Sequence, residues 1–209
     1  LNAVDASYID ASVQETSLAN LGNISVDNST RTSLNKFKFS VSDTSSTAAA
    51  LNAAQVKTSE AVNAAKITSI SESPATDIQT LYTGTVPTGI GAVPITVKDT
   101  TASATALEAI NQFTTAAVIS KATTVTGLAA DVAPLLLLAD GVVKIDSDVA
   151  VTLSDTNIEA ANLNLVNDRT TGTVTSSATT ITGTAGAIAT ALTSNASTAT
   201  DSIEGLDAV

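Results

Sequence analysis

A branched aliphatic residue recurs about every 28 positions along this chain, and small polar residues flank most of its occurrences. The series comprises Val13, Val41, Ile70, Val97, Val125, Leu153, Ile181 and Val209. A fixed period of this length is typical of solenoids, in which each structural repeat contacts only its neighbours. We therefore expect these side chains to point inward and to stack on adjacent strands.

Two further apolar series run in step with the first and give each repeat three buried sides. One precedes it by about seven positions and comprises Leu34, Val62, Ile90, Val118, Ile145, Val174 and Ile203. The other follows it by about ten and comprises Leu51, Leu81, Leu107, Leu135, Leu163 and Leu192. The flanks of the first two series alternate apolar and polar residues, as strands do, whereas Ala and Leu recur at helical spacing around the third. The sequence thus predicts an α/β repeat solenoid of about seven strand–strand–helix coils, each of roughly 28 residues.

A period twice as long, which we call the double repeat, lies over the first one. Residues 93–136 align without gaps with residues 149–192, at an offset of 56. Small and large residues alternate at one position of the repeat, which comprises Ala48, Ile78, Ala104, Val132, Ala160 and Ile188. We interpret this alternation as interdigitation of neighbouring coils, because protein interiors are packed to crystal-like density. Residues 39–209 are predicted to form regular 56-residue double repeats, and residues 1–38 an irregular first coil or junction.

The residue types that are missing exclude most catalytic chemistry. The chain contains no Cys and no His, which excludes disulfides, thiolate chemistry, Cys/His metal sites and the usual catalytic triads. Aromatic residues make up only 2% of the chain and offer few stacking platforms for a sugar substrate. We expect no enzymatic activity and assign no catalytic or cofactor-binding residue.

The net charge of −11 limits the partners that the chain can have. Nucleic-acid binding requires clusters of Lys and Arg, and here nine basic residues are scattered among 20 acidic ones. We expect no cofactor, except that an acidic surface suits loose association with calcium. The most apolar run, around Leu135–Leu138, is too short to cross a bilayer, so no membrane span is expected.

Three aspartates recur at the spacing of the double repeat, each between a predicted strand and a predicted helix: Asp43, Asp99 and Asp155. One hypothesis is that each caps the helix that follows it, because acidic side chains satisfy the free amide groups at a helix N-terminus. The other hypothesis is a ladder of calcium sites. Alternate coils lie about 9.5 Å apart if strands stack at about 4.7 Å, which is too far for two aspartates to share one ion. Helix capping is therefore favoured.

Asp146 and Asp148 flank a corner between two predicted strands and are weak calcium candidates. An Asp-x-Asp corner can contribute ligands to calcium, but one pair supplies too few of them. The equivalent corners, at Lys121 and Ser177, are not acidic. A structural turn is therefore the favoured interpretation.

Hydroxyl residues flank the first apolar series in pairs. The pairs are Ser40/Ser42, Ser69/Ser71, Thr124/Thr126, Thr152/Ser154 and Thr180/Thr182. A flat array of outward Thr-x-Thr pairs resembles the ice-binding face of some β-solenoids. Ser often replaces Thr here, Lys98 interrupts the row, and Thr favours strands for packing reasons alone. Ordinary strand propensity is the favoured interpretation.

The motifs VTLSDT, TTGTVTSSATTITGTAGAI and TTVTGLAADVAPLL resemble the repeats of giant secreted cell-surface proteins of marine cyanobacteria and other bacteria. The resemblance covers residues 39–209. It implies an extracellular location on the cell surface, an often calcium-rich setting and a scaffolding role in motility, adhesion or S-layers. It carries over no catalytic residues.

We expect this chain to be a scaffold or spacer segment of an extracellular surface or fibre protein, taken from a longer array of repeats. Two alternatives stay open: a ligand-binding adhesin that recognises glycan, ice or a mineral surface, and a subunit of a polymerised extracellular fibre. The expected partners are further repeats of the same chain, or other copies that associate end to end, because uncapped sheet edges recruit partners.

Overall fold

The structure is a computed structural model that describes residues 10–12, 14–24, 36–138, 141–195 and 203–205. These residues form a mixed α/β fold with parallel sheets, so the expected α/β class is confirmed. They divide into two compact units. The first comprises the described residues up to Thr96 together with Phe113–Ala116, and the second comprises Val97–Gln112 and the described residues from Ala117 onward. No helix within these ranges is long and apolar enough to cross a membrane.

The described residues of the first unit form short helices and strands in alternation. In chain order they are β1 (Asp10–Ser12), α1 (Leu18–Gly22), β2 (Lys36–Lys38), β3 (Ser45–Ser46), α2 (Ala48–Gln55), β4 (Ser69–Ser73), α3 (Ala75–Leu81) and β5 (Ile95–Val97), which reaches the unit boundary. β1 pairs with β2, and β3 pairs with β4, which neighbours β5. The fully buried Leu51, Ile70 and Ile78 belong to the apolar core of this unit.

The second unit carries a five-stranded parallel sheet. Its elements are β6 (Thr101–Ser103), α4 (Ala104–Asn111), β7 (Val118–Ser120), β8 (Thr124–Gly127), α5 (Ala129–Leu138), β9 (Val143–Lys144), β10 (Ala150–Leu153), β11 (Asn157–Glu159), α6 (Ala160–Asn167), β12 (Val174–Ser176), β13 (Thr180–Thr182), α7 (Ala185–Asn195) and β14 (Ile203–Glu204). Five strands form one sheet in the order β14-β12-β10-β8-β6. β11 pairs with β13 in a second sheet, and β7 pairs with β9.

Strand pairing shows how much chain separates each strand from its neighbour in a sheet. In the first unit the paired residues are 23 to 26 positions apart, as for Ser40 with Asn63. In the second unit they are 23, 25 or 26 positions apart, except that Val174 pairs with Ile203, 29 positions later. Most pairings therefore span less chain than the sequence period of about 28 residues.

The period seen in the sequence is an average of two unequal intervals between helices. Helices of the second unit begin at Ala104, Ala129, Ala160 and Ala185, so an interval of 25 positions alternates with one of 31. Two strands separate the helices in each shorter interval, and three separate them in the longer one. Because the number of strands alternates, the expected uniform strand–strand–helix order is wrong. The helix starts at Ala104 and Ala160, and those at Ala129 and Ala185, are nonetheless each separated by the 56 positions of the double repeat.

The first apolar series is buried but does not stack as expected. Its members from position 41 to position 153 are all buried. Val125, however, pairs with Ala102 on one side and with Val151 on the other, and the half-buried Ile181 pairs with Ile158. Val125 and Leu153 therefore lie on the neighbouring strands β8 and β10 but two positions out of register, whereas Ile181 lies on β13 in another sheet. Three apolar residues predicted to be buried lie outside the described residues: Val13, Leu34 and Val209.

The alternation of small and large residues reflects the place of each residue in its helix. Ala104 is the first residue of α4, whereas Val132 is the fourth residue of α5, and both are fully buried. A Cβ atom added at Gly127 would lie 3.4 Å from Ala104 Cβ and 3.3 Å from Val132 Cγ2. The same addition at Gly183 would lie 3.5 Å from Ala160 Cβ. Ala104 and Ala160 are both fully buried beside these glycines, so a larger side chain at either position would have to displace its neighbours.

Three buried threonines, spaced by one double repeat, tie neighbouring coils together: Thr58, Thr114 and Thr170. Each donates its hydroxyl to the carbonyl oxygen of the residue 21 positions earlier, at 2.6 Å for Thr58 and 2.7 Å for Thr114. Each hydroxyl also accepts from the amide two positions later. A buried hydroxyl needs partners of this kind, because an unpaired polar group in the interior is costly.

Ala160→Leu should destabilise the second unit. Ala160 is fully buried against the backbone of Gly183, so a leucine would overpack the site at a cost of about 1–3 kcal/mol. The matched control is Ala161→Leu, because Ala161 is the next residue of the same helix and is exposed. Thermal unfolding followed by circular dichroism should show a lower melting temperature for the first variant only. Equal melting temperatures would contradict the tight packing described here.

Candidate functional site

Asp43 and Asp155 cap helices, but not the helices that follow them. Asp43 Oδ2 accepts a hydrogen bond from the Leu18 amide at 2.8 Å, and Asp155 Oδ2 accepts one from the Ala129 amide at 2.8 Å. Leu18 and Ala129 begin α1 and α5, and they lie 25 and 26 positions before the aspartates that cap them. The prediction that these two aspartates cap helices is confirmed, whereas the prediction of which helix each one caps is wrong. Asp99 lies one double repeat from each of these aspartates, and its capping role stays a prediction.

Hydroxyl side chains cap the helices locally, which explains why the aspartates serve other helices. Thr47 and Ser103 stand directly before α2 and α4, and each accepts from the amide of the third helical residue. The first amide of α2, at Ala48, instead donates to Ser73 Oγ at 2.9 Å, 25 positions later. Each of these helix starts therefore has a local acceptor or an acceptor from the following coil. An acidic acceptor there also interacts favourably with the positive end of the helix dipole.

The weak calcium candidates Asp146 and Asp148 are exposed in the turn between β9 and β10. The Ser147 carbonyl oxygen between them accepts the Thr171 amide at 2.8 Å, so it already serves a contact within the protein. In the described parts of the chain, no three acidic side chains come together as a metal site would require. The geometry favours a structural turn, and calcium binding at this pair stays a prediction.

Tyr82 is the one residue whose ionisation the surroundings clearly change among the described side chains. Burial raises the pKa of Tyr82 to about 12, because an apolar environment disfavours the phenolate. Its hydroxyl donates to the Ile90 carbonyl oxygen at 3.0 Å, and its ring stacks on Phe113 with centroids 4.8 Å apart. The tyrosine is thus held as a neutral packing residue of the first unit and is not poised for proton transfer near neutral pH.

The structure separates the hydroxyl pairs that the sequence grouped together. Thr126 and Thr152 lie on adjacent strands of the five-stranded sheet, whereas Thr180 and Thr182 lie on β13 in the other sheet. Lys98, which was expected to interrupt the row, precedes β6 and lies outside this sheet. The five hydroxyl pairs therefore do not form a single array, and the alternative of one flat array that the sequence left open is wrong.

A different row of hydroxyls forms on the five-stranded sheet. Ser103, Thr126, Thr152 and Thr175 are in register on the consecutive strands β6, β8, β10 and β12. The Ser103 hydroxyl accepts the Ala106 amide, while those of the three threonines have no partner within the described residues. Thr152 and Thr175 are exposed, and Thr126 is half-buried. We call these four residues the hydroxyl row. Neighbouring strands lie about 4.8 Å apart, so the row presents hydroxyls at a regular short repeat.

No family model, curated protein or solved structure matches this chain.

The cap formed by Asp155 should contribute measurably to stability. Asp155→Ala removes the acceptor of the Ala129 amide and should cost about 1 kcal/mol of unfolding free energy. Asp148→Ala is the control, because Asp148 is also acidic but exposed in a turn. Urea unfolding measures both effects. A loss of stability in Asp148→Ala equal to that in Asp155→Ala would contradict a specific capping role.

Proposed function

We propose that this chain is an α/β repeat solenoid that serves as a scaffold or spacer segment of an extracellular cell-surface or fibre protein. The observation that carries the proposal is the recurrence of the same polar groups with equivalent partners. The three buried threonines recur one double repeat apart, and the half-buried Asp43 and Asp155, two double repeats apart, each cap a helix that begins 25 or 26 positions earlier.

The hydrogen bonds that recur join neighbouring coils only. Asn52 Nδ2 donates from α2 to the Asp77 carbonyl of α3 at 2.9 Å, and Asn164 Nδ2 donates from α6 to the Ala187 carbonyl of α7 at 2.9 Å. With the threonine and aspartate bonds, these contacts span 21 to 26 positions each. Nearest-neighbour contacts of this kind are what a repeat array needs, because its length can then grow without any new long-range contact.

The composition supports a location outside the cell. The chain has no cysteine to oxidise, and its net charge of −11 favours solubility in salty water. The resemblance of its repeats to giant secreted surface proteins points the same way. Asp146 and Asp148 are the only residues at which we propose calcium as an auxiliary ligand. The proposed partners are further repeats or further copies of the chain, and no enzymatic activity is proposed.

Labelling of intact cells tests the proposed location. Antibodies raised against the chain should label the surface of unbroken source cells, and external protease should remove that label. A cytoplasmic protein of the same cells, probed in parallel, should resist the protease until the cells are broken. Label that appears only after lysis would contradict a cell-surface scaffold.

The hydroxyl row favours one second candidate, an adhesin that binds an ordered surface such as ice or a crystalline glycan. Within the described residues three of its hydroxyls have no hydrogen-bond partner, and they repeat at the strand spacing. Such a surface presents its own hydroxyl or water groups at regular intervals, so several bonds can form together.

Thr152→Lys should abolish that adhesion by inserting a long charged side chain in the middle of the row. Thr115→Lys is the control, because Thr115 is exposed in the first unit and lies outside the row. Partition into growing ice, and co-sedimentation with crystalline cellulose or chitin, measure binding. Binding that survives Thr152→Lys, or that Thr115→Lys weakens equally, would exclude the row as the binding surface.

A further inference from the structure

A second row of side chains runs beside the hydroxyl row on the same face of the five-stranded sheet. It comprises Thr101, Thr124, Ala150 and Thr173, each two positions before a member of the hydroxyl row. The Thr173 carbonyl accepts the Val151 amide at 2.9 Å, which joins this residue to β10. The residues between the two rows are buried and point inward, so both rows point outward: Ala102, Val125, Val151 and Val174. We call the two rows together the hydroxyl array.

The repeat by itself does not produce the hydroxyl array. Seven of its eight positions carry Ser or Thr, and Ala150 is the exception. The equivalent positions, one double repeat earlier for β10 and β12 and one later for β6 and β8, carry only three hydroxyls: Pro94, Thr96, Ala117, Ile119, Asn157, Glu159, Thr180 and Thr182. Strand propensity favours threonine in both sets, so the concentration of hydroxyls on one face indicates a role for that face.

The chemistry of the hydroxyl array limits the partners that it can recognise. Its eight side chains include no charged group, although the whole chain has a net charge of −11, and Glu204 ends the array where β14 pairs beside Thr175. Metal ions and phosphate groups need charged partners. No aromatic residue lies on β6, β8, β10 or β12 to stack on a sugar ring. The array therefore suits a partner that offers only hydrogen-bond donors and acceptors.

The spacing of the hydroxyl array suits ordered water. Neighbouring members of a row lie about 4.8 Å apart, because they lie on neighbouring strands. In tetrahedrally ordered water, two molecules that bond to a common neighbour lie about 4.5 Å apart, since each O–H···O distance is about 2.75 Å. The hydroxyls of Thr101, Thr124 and Thr173 have no hydrogen-bond partner among the described residues, as in the first row. Each threonine hydroxyl can both donate and accept, and β-branching restricts its rotamers before a partner binds.

We propose that the hydroxyl array binds the ordered water of an ice surface. Each free hydroxyl takes the place of one lattice water along a row, and the threonine methyl groups lie between the bonded positions. Hydrogen bonds between coils hold the strands in place, since the Thr123 hydroxyl donates to the Thr100 carbonyl and the Thr170 hydroxyl to the Val149 carbonyl. This inference rests on the second candidate function, because it names the surface that such an adhesin binds.

Ala150, the one gap in the hydroxyl array, allows a test in both directions at a single position. Ala150→Thr adds the missing hydroxyl and should raise the partition of the whole chain into slowly growing ice by about twofold or more. Ala150→Lys removes no hydroxyl but places a charge in the second row, and it should lower that partition about tenfold. Thr180→Lys is the matched control, because Thr180 is the exposed repeat equivalent of Thr124 and lies on β13, outside the array. Its partition should equal that of the unsubstituted chain.

Circular dichroism melting verifies that each variant stays folded, and Thr175→Lys, at an exposed position of the first row, replaces Ala150→Lys if that variant unfolds. An unsubstituted chain that is excluded from ice would overturn the proposal, as would a folded Ala150→Thr variant that binds no better. Equal losses in Ala150→Lys and Thr180→Lys would also overturn it, because the contact would then lie outside the array.

The same chain, sedimented with crystalline cellulose or chitin, separates this inference from the functions on which it rests. Binding to the glycan without uptake into ice would overturn the ice assignment and leave the adhesin candidate standing. Binding to neither surface, with the cell-surface label intact, would overturn both of these and leave the proposed scaffold function standing.

Discussion

Parallel pairing of strands that lie about one coil apart in the sequence is the constraint on which the rest of the structure depends. The strands are very short, so their backbone groups are satisfied mainly by the strands of the preceding and following coils. The separation between paired strands fixes how much chain a coil can contain. The capping by Asp155 and the buried bond of Thr170 follow from it, because both reach across one coil.

Paired strands such as β8, β10 and β12 lie 23 or 26 positions apart, which is less than the sequence period of about 28 residues. The double repeat accounts for this difference. Between α5 and α6, where three strands separate two helices, β11 pairs with β13 in a separate two-stranded sheet. Successive helices of the second unit begin at alternating intervals of 25 and 31 positions. The sequence therefore repeats after one short and one long interval together, which is the double repeat. Gly127 lies next to Ala104, and Gly183 lies next to Ala160 one double repeat later. Both alanines are fully buried, so a larger side chain there would have to displace its neighbours.

Burial of most members of the apolar series was predictable from the sequence, whereas strand register was not; Ile181 is half-buried and Leu192 is exposed. Val125 and Leu153 are buried as expected, because strand alternation fixes which side chains face inward. Their partners were missed because Val, Ala and Thr occupy many strand positions, so several registers suit the same pattern. Asp155 was recognised as a capping residue from its chemistry, but its target depends on how coils stack. The hydroxyl row was missed for the same reason, since its members are 23 or 26 positions apart and do not follow the average period.

Duplicating residues 97–152 in tandem within the chain tests most directly whether the double repeat is the stacking unit of the proposed solenoid. The insertion joins Thr152 to a second Val97, which is the repeat equivalent of Leu153. The account predicts a folded protein with a melting temperature at least equal to that of the parent, because added repeats contribute their own neighbour contacts. Duplicating residues 97–138 is the control, since it breaks the phase and should destabilise the fold. Failure of the full double-repeat duplication to fold, or equal tolerance of both insertions, would contradict the account.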